Sequence, residues 1–444
     1  MRRLYSLLLY AALPFVALSG ALRRSPSRPG TPGWRERLGF GPSGGGGGIW
    51  VHAASVGEVQ AAAVLLEALQ ARDPPPDVTL SCGTATGYAR ARALLPGADV
   101  RYAPYDLPRA QRRWLSRLRP RLLVLIETEL WPNLLHEARR VGVPTLIGSA
   151  RVSERSARWY ARLPGLLRGP LRTNVWVGAQ TPQDAARFRA LGVPGERVSV
   201  MGNLKFDRTP AAQLQARGAA LRARFAAARP LWTAGSTHAG EEAMVLQAHR
   251  QLCRDLPEAL LVLAPRHPQR FEEVEAALAA GGWRYLRRSS TTVAAAASSG
   301  ASEPSCQVLL LDTLGELVDF YAAADVAFVG GSLVPVGGHN LLEPASLGVP
   351  VLSGPHQFSS PDSARILGQS GALRIVRDAR ELAAAVARLL SDPAARRRQG
   401  DSARAAIEAH RGAVARLVEL LDGLGAPAAG TATGHTVGLA RGEG

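Results

Sequence analysis

The chain has 444 residues, of which 46% are hydrophobic and 20% charged, and this composition is that of a globular protein rather than a disordered one. Its formal net charge of +17 favours anionic partners such as acidic lipids or phosphorylated substrates, although a GC-rich genome would also raise the arginine content. Three widely spaced cysteines argue against a disulfide framework or a structural zinc site, and no basic stretch is interleaved with aromatic residues as in nucleic-acid binders.

The first predicted element is an uncharged, apolar segment at residues 4–22, with arginines on both sides. A helix of this length is about long enough to cross a hydrocarbon core at roughly 1.5 Å per residue. It predicts a membrane anchor over residues 1–24, and a cleaved signal peptide is the alternative, because a basic start and a small-residue end fit both. The Pro- and Gly-rich residues 25–48 are then predicted to be a flexible tether.

Short apolar runs then alternate with longer helical patterns, which predicts repeated βα units and doubly wound parallel sheets. The predicted strands lie at residues 49–53, 78–81, 122–126, 145–147 and 175–178, and again at 231–234, 259–264, 308–311, 326–329 and 350–352. These two series predict an α/β protein with two Rossmann-like domains, 49–210 and 211–422, that face a cleft. Residues 289–305 are predicted to form a surface loop, and residues 423–444 a disordered tail.

The candidate chemical groups of the first domain follow predicted strands. Glu58 falls in a first helical turn, where it is either a helix cap or a general base. Glu127 and Glu129 lie on the same side of an extended chain, so they either bind a ligand or hold an arginine such as Arg151. Lys205 is the only lysine of the chain, which suggests a site that needs a compact ammonium group, although chance is an alternative.

The second domain has three patterns typical of anion binding, each after a predicted strand. Residues 235–240 (GSTHAG) open a helix with backbone N–H groups and hydroxyls, and Arg266 adds a fixed cation after the next strand. A second Gly-rich stretch at 330–344 contains Glu343, which could hold ribose hydroxyls. Each pattern is weak alone, but three in one domain predict a nucleotide site.

The sequence offers no obvious metal site, because it contains neither a His-rich cluster nor an Asp-x-Asp pair. We therefore predict neither a metal nor a cofactor. A leaving phosphate would instead be neutralised by Arg266, by Lys205 and by helix termini.

Taken together, these blocks resemble the 3-deoxy-D-manno-octulosonic acid (Kdo) transferases of Gram-negative lipopolysaccharide synthesis, glycosyltransferase family 30, which have the GT-B fold. The matching blocks are residues 52–58, 127–133, 202–207, 235–242, 264–270, 314–316, 330–344 and 354–358. The resemblance implies metal-independent transfer of Kdo from CMP-Kdo to the 6'-hydroxyl of a lipid A precursor, with inversion at the anomeric carbon. It also implies catalytic domains on the cytoplasmic side of the cell inner membrane.

The resemblance further implies roles for individual residues. Glu58 matches the catalytic base, and Glu127 and Lys205 match groups that support the transition state, with Glu129 close enough to take the place of Glu127. The implied CMP-binding positions are Pro265, Arg266, Leu314, Gly315, Glu316, Asn340, Leu341, Leu342 and Glu343.

The chain departs from the family pattern at a few positions, which are Cys82, Gly83, Ala85 and Ser359. These departures concern the acceptor side. Two other functions remain open at this point: a GT-B transferase or epimerase that uses a UDP-sugar, and an inactive, membrane-bound paralogue.

Overall fold

The computed structural model describes residues 1–22, 32–41, 46–208, 212–291 and 306–425. These residues form two compact units, of which the first contains Met1–Asp207 and Arg411–Gly444 and the second contains Arg208–His410. The predicted surface loop and the predicted tail fall largely outside the described residues.

The first unit is built on a parallel sheet in the order β3-β2-β1-β4-β5-β6-β7. Its strands are β1 (Ile49–Ala53), β2 (Val78–Cys82), β3 (Asp99–Tyr102), β4 (Leu122–Ile126), β5 (Thr145–Ala150), β6 (Val175–Ala179) and β7 (Val198–Val200). Its helices up to β7 are α1 (Arg2–Leu22), α2 (Pro32–Arg37), α3 (Val56–Gln70), α4 (Ala85–Leu94), α5 (Pro108–Leu118), α6 (Pro132–Arg140), α7 (Glu154–Ala161), α8 (Pro164–Thr173) and α9 (Pro182–Ala190).

Helices cover both faces of this sheet, and this is why its strands read as continuous apolar runs. Alternate residues of β1 enter different cores, since Val51 packs against α3 residues such as Leu65, whereas Trp50 packs with Trp114 of α5. All five residues of β4 are buried. Ser55 begins α3 as an N-cap whose side chain accepts from a backbone N–H, and the small residues around it allow the tight passage from strand to helix.

The second unit has its own parallel sheet, in the order β10-β11-β9-β8-β12-β13-β14. Its strands are β8 (Leu231–Thr237), β9 (Leu260–Pro265), β10 (Tyr285–Arg287), β11 (Val308–Leu310), β12 (Val326–Val329), β13 (Val351–Ser353) and β14 (Leu373–Ile375). Its helices are α10 (Ala212–Phe225), α11 (Glu241–Asp255), α12 (Phe271–Ala280), α13 (Leu317–Ala323), α14 (Leu342–Ser346), α15 (Pro361–Gln369), α16 (Ala379–Ser391) and α17 (Pro393–Ala409). The prediction of two doubly wound α/β domains is confirmed.

The last described helix, α18 (Ala413–Gly425), belongs to the first unit. The Asp207 carboxylate accepts hydrogen bonds from the backbone N–H groups of Gly412 (2.7 Å) and Val414 (2.5 Å), and this fixes the start of the helix. Leu417 and Leu421 are buried in the same core as β1 and α3. The sequence-based boundary, which kept residues 411–422 in the second domain, is therefore wrong for this segment.

The predicted tether is also partly wrong, because residues 32–41 are folded. Arg37 of α2 is buried and donates to the carbonyl oxygen of Gly83 at 2.7 Å, while Glu36 accepts from the backbone N–H of Tyr102 at 2.8 Å. Arg113 of α5 stacks on the Phe40 ring at 3.8 Å. The rest of the predicted tether up to residue 45 lies outside the described residues.

Helix α1 is fixed to the first unit by its first two turns. The Tyr5 hydroxyl donates to Asp106 at 3.0 Å and the Ser6 hydroxyl to the Asn133 side chain at 3.0 Å. Large apolar side chains on the rest of the helix are exposed, among them Leu8 (61%) and Phe15 (74%). Among the residues that the structure describes, no helix combines the length and the apolar composition needed to span a bilayer. The predicted anchor stays a prediction.

Candidate active site

Glu58 lies at the start of α3, immediately after the carboxyl end of β1. One carboxylate oxygen accepts from the backbone N–H of Ala54 (2.6 Å), the other accepts from the Ser55 hydroxyl (3.1 Å), and the Glu58 N–H donates back to Ser55 (3.4 Å). This reciprocal arrangement resembles a capping box, although the backbone donor to Glu58 is Ala54 rather than the N-cap residue Ser55. The structural interpretation of Glu58 therefore holds, and it does not exclude a chemical role, because a carboxylate can accept about four hydrogen bonds.

The electrostatic surroundings of Glu58 are unusual for a helix cap. Burial, the charge of Glu129 and then the charge of Glu127 raise the pKa of the Glu58 carboxyl to about 7. A carboxyl group with this pKa can accept a proton at neutral pH and release it again, which suits general base catalysis. A residue that only stabilised the helix dipole would need to stay ionised, and a low carboxyl pKa would serve that purpose better.

Glu127 follows β4 and lies between two cations. Its carboxylate accepts from the Lys205 ammonium at 2.5 Å, and the Arg151 guanidinium lies 3.9 Å away. Its φ is 63°, a left-handed conformation that costs a non-glycine residue about 1–3 kcal/mol and that is often found at functional sites. Both interpretations from the sequence, ligand binding and the holding of an arginine, are compatible with this geometry.

Lys205 reaches the same place from the short 3-10 helix Leu204–Asp207, which follows β7. Its ammonium lies 3.6 Å from the point where a side chain on Gly57 would begin, so it stands beside the first turn of α3. The structure thus brings the predicted residues Glu58, Glu127 and Lys205 together within the first unit.

Glu129 and His52 complete this region, and the sequence analysis included His52 in the block 52–58 without giving it a role. The His52 ring is fully buried, and its Nε2 lies 3.8 Å from the Glu129 carboxylate. We call Glu58, Glu127 and Glu129 the acidic cluster. The sequence indicated no function for His52, because a histidine inside an apolar strand has the same pattern as a core residue whose ring nitrogens are hydrogen-bonded.

The candidate residues of the second unit lie at the carboxyl ends of four neighbouring strands, β11, β9, β8 and β12. We call this the glycine-rich edge. Arg266 follows β9, and its backbone N–H donates to the Thr237 carbonyl oxygen at 2.9 Å, which joins it to the end of β8. Parallel α/β sheets bind ligands at this end of their strands.

Part of the predicted phosphate-binding pattern is already occupied by a protein carboxylate. Glu241, fully buried in the first turn of α11, accepts from the backbone N–H groups of Gly331 (2.6 Å), Ser332 (2.9 Å), Leu333 (2.8 Å) and His238 (2.9 Å). These four donors cannot also hold a phosphate. The Gly-rich turn at 331–333 therefore does not offer these amides to an anion, because Glu241 uses them to fix the turn.

Three histidines converge beside Arg266, although the sequence indicated no His-rich cluster. The Nε2 atoms of His238 and His339 are 2.7 Å apart, their rings stack at 5.0 Å, and the His267 ring meets His238 edge-on at 5.1 Å. Burial and the neighbouring His238 lower the pKa of His339 to about 4, and burial lowers the pKa of His238 as well. No group of three or more metal-ligating side chains with metal-site geometry occurs among the described residues.

The remaining predicted positions are spread along this edge. Leu314 is 73% exposed, Gly315 has a φ of 93°, and Glu316 accepts from Arg288 at 2.7 Å. Leu341 and Leu342 are buried, so they contribute packing at this edge.

Two polar positions border α14. The Asn340 side chain accepts from the Leu342 backbone N–H at 3.2 Å. The charge of Glu343 acts on the buried Tyr321 phenol, whose pKa is raised by burial and then by that charge. The phenol hydroxyl lies so close to Gly235 that a side chain there would clash with it.

Comparison with known proteins decides the family. Residues 32–208 match the family model of 3-deoxy-D-manno-octulosonic-acid transferase (kdotransferase), and residues 296–406 match that of glycosyl transferases group 1. A 3-deoxy-D-manno-octulosonic acid transferase of Bordetella pertussis is 42% identical over 387 residues, which are 84% of this chain and 86% of the relative. One of Haemophilus influenzae is 37% identical over 376 residues, with the same two coverages. The chain belongs to the Kdo transferase family.

The architecture agrees with this family assignment. A UDP-GlcNAc 2-epimerase of Neisseria meningitidis, solved with UDP-GlcNAc, superimposes with a TM-score of 0.59 over 84% of this chain and 99% of its own, at 13% identity. Such a low identity shows only a shared fold, which is consistent with GT-B. The epimerase alternative therefore gains no support from this likeness, and the family is that of Kdo transferases, which are glycosyltransferases.

Proposed function

We propose that this Kdo transferase moves Kdo from CMP-Kdo to the 6'-hydroxyl of a lipid A precursor, with inversion at the anomeric carbon. The observation that carries the proposal is Glu58, a carboxyl group whose pKa is raised to about 7 at the carboxyl end of a strand. The family membership supports the sugar that is transferred. We assign the acceptor to the first unit and the nucleotide to the glycine-rich edge of the second.

The reaction needs one base. The Glu58 carboxylate takes the proton of the acceptor hydroxyl, the hydroxyl oxygen forms the bond to the anomeric carbon, and the bond from that carbon to the phosphate oxygen breaks, so that CMP leaves with the electron pair. Two hydrogen bonds to Glu58, from Ala54 and Ser55, leave acceptor capacity for this hydroxyl. Glu127 and Lys205 are then placed to stabilise charge near the first turn of α3.

The leaving nucleotide needs positive charge. Arg266 supplies a permanent cation beside the three histidines, and the four amides held by Glu241 keep the neighbouring turn in one conformation. In this proposal the turn positions Asn340 and Glu343, and the anion is held by Arg266 rather than by the turn's own amides.

The test of the base is a pair of substitutions in the same helix. Glu58→Gln should lower kcat by about 10²–10⁴-fold, the range that a general base contributes, while CMP binding stays. The fold should persist because glutamine also completes a capping box. Glu67→Gln, at an exposed position of α3, is the control and should be fully active.

The assay for donor and acceptor uses CMP-Kdo with a tetraacylated lipid A precursor and measures the mass of the product. A gain of one or more Kdo masses supports the proposal. Transfer from UDP-N-acetylglucosamine in place of CMP-Kdo would refute the donor, and an unchanged rate for Glu58→Gln would refute the base.

We also propose that α1 attaches the protein to the cytoplasmic face of the inner membrane. The support is its row of exposed apolar side chains, which includes Leu4, Leu7, Leu8, Phe15 and Leu18, together with the net charge of +17. Burial of one such side chain contributes about 1.5–3 kcal/mol, and basic residues favour anionic lipid.

Flotation with vesicles of phosphatidylethanolamine and phosphatidylglycerol tests this attachment. The double variant Leu7→Asp, Leu8→Asp should lose most of its vesicle binding. Ile375→Asp, which changes an exposed apolar residue of the second unit, should bind as before. Equal binding of all three proteins would contradict the assignment to α1.

A further inference from the structure

A buried polar chain runs through the first unit and ends at the acidic cluster. The indole Nε1 of Trp50 donates to the Ser81 hydroxyl at 2.8 Å, and that hydroxyl lies 2.9 Å from Nδ1 of His52. Ser81 and His52 are fully buried, and Trp50 is nearly so. Among the described residues, Nε2 of His52 has no hydrogen-bond partner, and its near neighbour is the Glu129 carboxylate at 3.8 Å.

The donors and acceptors give this chain a direction. An indole nitrogen can only donate, so the Ser81 oxygen accepts from Trp50 and its own hydrogen is available for Nδ1 of His52. With Nδ1 as an acceptor, the ring proton is on Nε2, which faces Glu129. In the other tautomer Nδ1 donates to the Ser81 carbonyl oxygen at 3.1 Å, and a lone pair of Nε2 would face the carboxylate. An ionised Glu129 therefore favours the first arrangement.

The carboxylates of the acidic cluster differ in how their charge is compensated. Glu127 is paired with Lys205 at 2.5 Å and with Arg151 at 3.9 Å. Glu129 has the His52 ring, at 3.8 Å, as its neighbour within the described part of the chain, and its side chain is only 16% exposed. The negative charge of Glu129 is therefore less compensated than that of Glu127 when it acts on Glu58.

We propose that His52 is a positioning residue whose Nε2–H holds the Glu129 carboxylate beside Glu58, and that Glu129 rather than Glu127 adjusts the base. The distance of 3.8 Å is longer than a hydrogen bond, so the attraction in this structure is electrostatic. The proposal rests on the proposed role of Glu58 as the base. It also separates the two acids of the 127–129 pair, because Glu127 binds cations and Glu129 acts on Glu58.

The consequence is a pH dependence with a defined sign. Burial is the first cause of the raised Glu58 pKa and Glu129 is the second, so a neutral residue at 129 lowers that pKa. The base is active when deprotonated, and the acid limb of the pH profile then moves to lower pH. Other titratable groups also face this pair. They are Glu127, His52 and the Cys82 thiol around Glu58, and Tyr160 of α7 beside Glu129.

The experiment records kcat/KM against pH for the full chain with CMP-Kdo and the lipid acceptor. Glu129→Gln should move the acid limb down by about 0.5–1 pH unit, as removal of a nearby like charge does. His52→Leu should move it in the same direction but by less, because any charge on His52 lowers the Glu58 pKa and is lost as well. The double variant should move the acid limb no further than Glu129→Gln, because both changes remove the positioned Glu129 charge. His52→Gln, which keeps a donor near the Nε2 position, should lie closer to the unmodified protein.

Glu154→Gln is the matched control, because this acid of α7 lies in the same unit and is 72% exposed. Its acid limb should not move. A purely structural role of His52 would lower the melting temperature and the amount of active enzyme, and it would leave the position of the limb unchanged.

The possible results separate this inference from the proposed function. An inactive Glu58→Gln together with unmoved acid limbs in Glu129→Gln and His52→Leu would overturn the positioning role and leave the base in place. If the Glu58→Gln variant were active and the acid limb of its kcat/KM profile did not move, Glu58 would not be the base. If His52→Leu fails to fold, Glu129→Gln alone decides, since glutamine has nearly the same size and shape as the glutamate that it replaces.

Discussion

Replacement of Glu241 by glutamine removes a charge that holds a turn of the second unit together. One carboxylate oxygen accepts from Ser332 and Leu333 at 2.9 and 2.8 Å, and the other accepts from His238 and Gly331 at 2.9 and 2.6 Å. An amide keeps one oxygen and replaces the other by a group that only donates. Whichever way the amide turns, two backbone N–H groups lose their acceptor and face a donor.

The magnitude follows from the burial of this site. Glu241 is fully buried, so water cannot replace the lost acceptor. A buried N–H without a partner costs about 1–3 kcal/mol, and two of them cost about 2–6 kcal/mol. A typical domain is stable by only about 5–15 kcal/mol, so Glu241→Gln should destabilise the second unit strongly.

Hydrogen exchange measured by mass spectrometry is the suitable assay, because two units need not unfold together. In Glu241→Gln the amides of residues 331–333 should exchange much faster than in the unmodified protein, and CMP binding should weaken. Glu258→Gln, an exposed position of the same unit, is the control and should behave like the unmodified protein. If exchange at 331–333 were the same in both variants, the amides would have other acceptors and the assignment of the turn to Glu241 would fail.

Two further predictions concern stability. His249 accepts from the Trp232 indole at 3.2 Å and burial lowers its pKa to about 4, so the second unit should lose about 3 kcal/mol as the pH falls from about 6.5 to 4. His249→Gln should flatten this dependence in urea unfolding at pH 7 and pH 4.5, and an unaltered slope would contradict it. Asp207→Ala removes the acceptor of the Gly412 N–H at 2.7 Å and should cost about 0.5–2 kcal/mol, as loss of a helix cap does. Faster hydrogen exchange at the start of α18 would show that the cap has been lost, and unchanged exchange would contradict this prediction.

The central strands of both sheets could be predicted from sequence, because strands covered on both faces are continuous apolar runs. Residues 122–126 were predicted as a strand and coincide with β4. The edge strand Asp99–Tyr102 was missed, since its residues alternate between buried and half-buried and the run is short. Strand β7, of three residues, was missed for the same reason of length.

The acidic cluster was predictable only in part. Glu58, Glu127 and Lys205 stand out by type and by their place after strands, and the structure brings them together. The ion pair between Glu127 and Lys205 joins residues 78 positions apart, and no local pattern shows such a contact. Whether these side chains catalyse the reaction stays a prediction.

In the second unit, the sequence analysis assigned a function to backbone groups that already have another partner. Glycine-rich turns were interpreted as elements that together indicate a phosphate site, whereas the backbone N–H groups of one of them donate to the Glu241 carboxylate. An acid in a first helical turn has the same sequence pattern whether it caps its own helix or reaches a loop 90 residues away. The histidine cluster was missed because its members, which include His238 and His339, come from different strand ends.

The return of α18 to the first unit affects how the protein is made and how it can be re-engineered. Leu417 and Leu421 share a core with β1, so that core is incomplete until residues 417–421 have left the ribosome. The second unit, Arg208–His410, is in effect a cassette inserted into the first. A chimaera that exchanges the second unit between relatives therefore needs two junctions, and a shortened protein that ends before residue 413 would lose part of the core of the first unit.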